Sequence, residues 1–143
     1  YKSGRQLNYP MKRKKERVPN HTFVGCLIKE KNKILIQKRK GNMLNGLWEI
    51  PNKRVNNINH INEELNSYIN EHYGFDINVK KQLGTISHSY SHFKMKLILL
   101  ECKKIGRIKN YNQTYNWIKK TDIINYAFHK VNHKIFTLLD NDF

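Results

Sequence analysis

The sequence predicts an α/β (α+β) fold, a sandwich in which a mixed β-sheet is covered by flanking helices. Three observations lead there. Thr22 to Ile28 is a continuous apolar run, the pattern of a strand buried on both faces. From Ile58 to Tyr73, the residues Ile58, Ile61, Leu65, Tyr68, Ile69 and Tyr73 fall at helical spacing, and Gly74 follows as a left-handed stop. Two further strand-like segments, about Val79 to Tyr90 and Phe93 to Cys102, come after that helix. A chain of 143 residues is long enough to bury one such core.

Residues 1–20 hold Gly4, Pro10, Pro19 and the run Lys12-Arg13-Lys14-Lys15 with no apolar periodicity, and they read as a basic interdomain linker. A solvated tether and an arm that touches DNA phosphates both fit that composition. The folded domain is expected over 21–143. Lys31-Asn32-Lys33 is a polar turn, and Ile34 to Lys38 is a second strand, so the first pair reads as a hairpin. Gly41 and Gly46 flank a loop that ends in Leu47-Trp48-Glu49-Ile50-Pro51. Tyr115 to Lys119 is the last strand, Thr121 reads as the N-cap of a short helix, and Asp122 complements its dipole. An amphipathic helix from about Lys130 to Leu139 buries Val131, Ile135, Phe136 and Leu139.

Charge and composition narrow the function. Lys and Arg number 27 against 11 acidic residues, for a formal net charge of +16. That excess favours polyanionic partners, because each neutralised phosphate releases condensed counterions. Lys-, Asn- and Ile-rich usage also follows from an AT-rich coding sequence. Cys26 and Cys102 are far apart in apolar runs, so they read as small buried hydrophobes and not as a disulfide framework or a metal-ligand set. No apolar stretch is long enough to span a membrane, and no signal-peptide pattern opens the chain. The expectation is a cytoplasmic, nucleoid-associated protein in a bacterium, or a nuclear or mitochondrial one in a eukaryote, with no membrane partner.

One cluster stands out: His88-Ser89-Tyr90-Ser91-His92, followed directly by the strand from Phe93. Imidazoles, hydroxyls and a phenol ring on a turn, in so basic a chain, suggest contact with a nucleobase. The bland alternative is a polar hairpin turn that happens to be rich in Ser and His. His88 is as well explained by a structural place against the core.

The string Leu44-Asn45-Gly46-Leu47-Trp48-Glu49-Ile50-Pro51 resembles the opening of a Nudix-type domain. In that family a helix rich in carboxylates follows and binds magnesium for pyrophosphate hydrolysis, since magnesium bridging phosphates needs hard oxygen ligands. Here Asn52-Lys53 replaces the glycine pair. With Gly74 aligned to the motif's glycine, Ser67, Tyr68 and His72 stand where Arg, Glu and Glu are wanted, and Glu71 is the one acidic residue of the critical turn. The expected number of catalytic residues and metal ligands in this chain is none.

A Nudix-like domain without its metal box, behind a basic linker, is similar to the C-terminal domain of the MutY family of adenine DNA glycosylases. Lys2-Ser3-Gly4-Arg5 through Lys14 resembles that family's linker, and Leu83-Gly84-Thr85 through Phe93 its strand and recognition turn. Ala127, His129, His133, Ile135 and Leu138 are a looser echo of its final helix. The resemblance implies that Tyr90, Ser91 and His92 read 8-oxoguanine opposite a mispaired adenine in double-stranded DNA. It implies Ser91 as the direct reader, Tyr90 as a wedge or stacking ring in place of the usual Phe, and His92 on the base or a phosphate. It also implies that this chain carries no cofactor of its own. The catalytic domain, with a [4Fe–4S] cluster, would lie upstream in the same polypeptide. The alternatives are an active Nudix-type nucleotide pyrophosphohydrolase and a basic adaptor that binds nucleic acid or protein through its linker.

Overall fold

The computed structural model describes residues 18–39, 46–106 and 115–139, so the basic run Lys12 to Lys15 lies outside the described residues. The apolar run at the head of the domain lies in strand β1 (Asn20–Glu30), and the rest is organised around it. Strand β2 (Lys33–Lys38) turns back through Lys31, whose φ of 58° is the one left-handed conformation at a non-glycine residue among those described. Only Lys29↔Ile34 and Glu30↔Lys33 pair in that hairpin; β2 runs on instead along β7 (Tyr115–Lys119). The other end of β1 pairs antiparallel with β4 (Asn52–Arg54), so β1 splits its edge between two neighbours. On its second edge β1 runs parallel to β6 (Lys94–Ile105) from Asn20↔Lys94 to Lys29↔Lys103. Strand β5 (Asp76–Ser89) closes that side antiparallel to β6, and β3 (Trp48–Glu49) borders β2. The result is a mixed seven-stranded sheet with a helix on each face, an α+β fold as the sequence predicts.

The period-2 alternation of the strands divides the core into two layers. Val24, Cys26 and Ile28 of β1 with Ile98, Leu100 and Cys102 of β6 face helix α1 (Ile61–Tyr73), which buries Leu65, Ile69 and Tyr73. Leu27, Leu97 and Leu99 face the other way, toward helix α2 (Lys130–Leu138), which buries Val131 and Ile135. Both cysteines are free and buried, and burial pushes the Cys26 thiol well up from its ordinary value. Gly25 lies where β1 passes under Leu97; an added Cβ would sit 3.1 Å from Leu97 Cδ2. Gly74 ends α1 at φ 78°, its N–H donating to Asn70 O.

Three expectations change. The helix expected from Ile58 begins as a 3-10 turn (Ile58–His60) held by the Asn57 side chain, and becomes α-helical only at Ile61. Thr121 is not an N-cap: a 3-10 turn spans Lys120–Asn125, and Asp122 Oδ2 accepts from Lys119 N at 3.4 Å. The end of the expected loop, Leu47 to Pro51, contains strand β3, and β4 follows directly, because tertiary partners fix the segment. Trp48 N donates to Ala127 O, His129 N donates to Trp48 O, and Cys26 N donates to Pro51 O. Among the described residues no helix is long and apolar enough to cross a membrane.

Candidate functional site

Pairing of β5 with β6 continues to Ser89↔Lys94, and Tyr90 N then donates to Phe93 O at 2.8 Å. Ser91 and His92 are therefore the two residues of a tight hairpin tip, and both are exposed. Two register shifts in β5, between Val79 and Lys81 and between Gln82 and Gly84, together move its pairing by two residues, so the alternation of faces is kept. Ile77 and Val79 face α1, and Ile86 faces α2. His88, two residues on from Ile86, pairs with Met95 on the α2 side, and the tip is aligned over the start of α2.

The neighbouring Tyr90 points inward. Its ring stacks on Phe93 (centroids 4.6 Å, planes 28° apart) and lies nearly parallel to the His129 ring at 5.7 Å. The phenol oxygen is 2.9 Å from His129 Nε2, and His88 meets the Tyr90 ring edge-on at 4.7 Å. His21 packs on Phe93 at 5.0 Å, extending the ring cluster to the start of β1. His129 immediately precedes α2 and is only 4% exposed. Burial first, then the positive field of Arg39 and the nearby His88 and His133, lowers its pKa to about 4. The imidazole is accordingly neutral at pH 7, and a hydrogen bond joins its Nε2 to the phenol oxygen. Burial raises the Tyr90 phenol above its ordinary value, which keeps it protonated.

His88 is held from the other side. Lys134 of α2 donates to Ser87 O at 2.9 Å, and its Nζ lies 3.0 Å from His88 Nδ1. Burial, then the charges of Lys134 and Lys130, lower the His88 pKa. Of the predicted site residues, Ser91 and His92 face solvent together, while Tyr90 and His88 form the base they stand on. His129 entered the sequence analysis only within a loose helix pattern. A histidine directly preceding a helix, in a chain with a ring-rich turn elsewhere, gives no signal that the two meet.

The second candidate region is α1 and the strand before it. Both oxygens of the buried Glu49 are occupied: Oε2 accepts from Gln37 Nε2 at 2.9 Å, and Oε1 from Arg39 Nη1 at 3.0 Å. The Tyr73 hydroxyl donates to Gln37 Oε1, so the group is tied to α1. Burial raises the Tyr68 phenol and drives the Tyr73 phenol far up, so both stay neutral. Glu64 lies 3.4 Å from Lys53, and Glu71 is exposed. Among the described residues no three His, Cys, Asp or Glu side chains gather as a metal-binding group. The described carboxylates, Glu49 held by Gln37 and Arg39 and Glu64 by Lys53, do not form a magnesium site of the kind pyrophosphate hydrolysis needs.

Both sequence and fold are similar to those of known proteins. The NUDIX domain family matches residues 23–138. Among solved structures, the MutT protein from Methanosarcina mazei Go1 superposes with a TM-score of 0.73 at 20% identity, over 87% of this chain and 96% of that one. The E. coli ORF135 protein gives 0.71 at 18% identity, over 87% and 93%. The C-terminal domain of mouse MUTYH, solved in complex with human PCNA, gives 0.64 at 16% identity, over 85% and 88%. No curated protein sequence matches the chain.

Proposed function

The chain belongs to the NUDIX domain family, and from that premise we propose that it is the domain of an adenine DNA glycosylase that reads 8-oxoguanine opposite the mispaired adenine. The observation that carries the reading is the hairpin tip: Ser91 and His92 are presented to solvent on an internally stacked base of Phe93, Tyr90 and His129. A reader needs that kind of pre-organisation, because a contact held loosely loses its discrimination. The side chains aligned with the family's metal box support the reading too, since Ser67, Tyr68 and His72 stand where Arg, Glu and Glu are wanted and Glu71 is the one carboxylate of that turn. The fold is shared by Nudix hydrolases and by the MUTYH C-terminal domain alike, so the likeness of fold supports both readings.

Oxidation at C8 turns guanine N7 from an acceptor into an N–H donor. The Ser91 hydroxyl can accept from that N–H while its own proton is donated elsewhere; with the proton so committed, unmodified guanine would set acceptor against acceptor at N7. An opposed or lost hydrogen bond of this kind is worth about 1–3 kcal/mol, or about 5- to 150-fold in selectivity. His92 is placed beside Ser91 to donate to a base edge or a phosphate. Tyr90 acts as a positioning residue, its ring stacked on Phe93 and its hydroxyl bonded to His129 within the domain. Adenine excision, the [4Fe–4S] cluster and the catalytic carboxylate belong, in this reading, to an upstream domain of the same polypeptide.

The test joins the chain to that catalytic half and compares single-turnover excision of A opposite 8-oxoguanine with A opposite G. Ser91→Ala should reduce the preference by at least about 5-fold. Selectivity unchanged in Ser91→Ala/His92→Ala defeats the proposal. A second reading, a nucleotide pyrophosphohydrolase, has the similarity to the MutT structure in its favour. Magnesium-dependent release of phosphate or pyrophosphate from nucleoside triphosphates by the purified chain would establish it.

A further inference from the structure

We infer that the end of the sheet beneath the hairpin tip is a cationic shelf for the phosphodiester backbone of duplex DNA; the inference rests on the proposed function only for the placement of the tip over a base. Three strands meet at this end. Across β5 and β6, Ser87 pairs with Lys96 and Ser89 with Lys94; across β6 and β1, Lys96 pairs with Thr22. Paired residues share a face, so hydroxyls and ammonium groups alternate on one surface of the sheet. Lys94 and Lys96 are two residues apart on one strand, hence about 6.8 Å apart along it. Both are exposed. These residues line a groove of about 740 Å³, and Lys134 reaches its rim from α2.

Charge is what commits the groove to a polyanion. No Asp or Glu lines it. The acidic residues of these three strands sit at the opposite end of the sheet: Glu101 lies 3.9 Å from Lys29, Glu30 lies 3.1 Å from Lys104, and Asp76 Oδ1 accepts from Asn70 Nδ2 at 2.8 Å. Among the described residues no carboxylate forms an ion pair with Lys94, Lys96 or Lys134. A surface that keeps its lysines uncompensated while offering Ser and Thr hydroxyls is matched to phosphate oxygens, which accept from both. The groove also adjoins the hairpin, with Lys94 directly following Phe93. A strand lying on it would bring its bases to Ser91 and His92. The shelf then supplies sequence-independent hold and the tip supplies the reading.

The experiment uses the 143-residue chain and fluorescently labelled duplexes, with and without 8-oxoguanine, and measures affinity across a salt series. Each phosphate contact contributes about 0.9 to the slope of log affinity against log salt. Lys94→Gln/Lys96→Gln should therefore lower the slope by about 1.8 and weaken both duplexes alike. Lys33→Gln/Lys103→Gln, at the opposite end, should leave the slope as it is. A slope unchanged by the first pair overturns the inference, as does an equal fall with the second. So does binding to anionic vesicles without binding to duplex at low salt. Ser91→Ala separates this from the reading of the tip. Lysine dependence without preference for 8-oxoguanine defeats the reading and leaves the shelf; preference without lysine dependence does the reverse.

Discussion

Acidification should loosen the base of the hairpin tip, and the size of the effect follows from His129. Its folded-state pKa lies at about 4, below the ordinary 6.5. The unfolded chain therefore takes up this proton first. The stabilisation is complete above pH 6.5 and is lost as the pH falls from there toward 4. Linkage between a folded value of about 4 and an unfolded value of 6.5 gives a loss of about 2 kcal/mol between about pH 7 and pH 5. His129→Phe keeps a ring beside Tyr90 and removes the titration. Urea melts of both proteins at about pH 7 and pH 5, with the slope m held common, give the difference directly. The wild type should lose about 2 kcal/mol more than the variant. Equal losses in the two would refute the buried, neutral imidazole. Tyr90→Phe, which removes the hydroxyl bonded to His129, should also quicken hydrogen exchange at the backbone amide of that position, which closes the hairpin on Phe93 O.

Three further predictions test the packing. Gly25→Ala places a methyl against the buried Leu97 and Leu99 and should cost about 1–3 kcal/mol in urea melts. Gly84→Ala meets Leu138 Cδ2 at 2.8 Å, a closer approach, yet should cost less, because Leu138 is 43% exposed and free to swing aside. Asn132→Ala should cost about 1–3 kcal/mol, since Asn132 Oδ1 accepts from Ile50 N at 2.8 Å and its loss leaves that amide buried and unpaired. A loss below about 0.5 kcal/mol would mean that Ile50 N finds another acceptor.

Hydropathy patterning along the chain was enough to place β1, α1 and α2, because each buries a face whose period is written locally: Leu65, Ile69 and Tyr73, or Val131 and Ile135. The Gly74 stop was readable for the same local reason. What could not be read was every feature that needs a distant partner. Trp48 and Glu49 form a strand only because β2 and the segment before α2 are there to pair with them. The double register shift in β5 lies in Lys80 to Gly84, where no periodicity marks an inserted residue. At the candidate site the exposed Ser91-His92 tip could be anticipated from its composition. The inward role of Tyr90 could not, since its partner His129 comes from the other end of the domain.

The parallel pairing of β1 with β6 bears on how the molecule assembles in time. Asn20 has to find Lys94 across α1 and most of the sheet, and such non-local contacts repay the entropy of closure only late. The β5–β6 hairpin is contiguous and needs no such search. In a chain emerging from the ribosome, the hairpin with Ser91 and His92 at its tip can therefore close while its support is still incomplete. His129 and α2 are synthesised after it. The tip is formed early and becomes rigid last, so any truncation that removes α2 should leave a hairpin that folds and a site that does not.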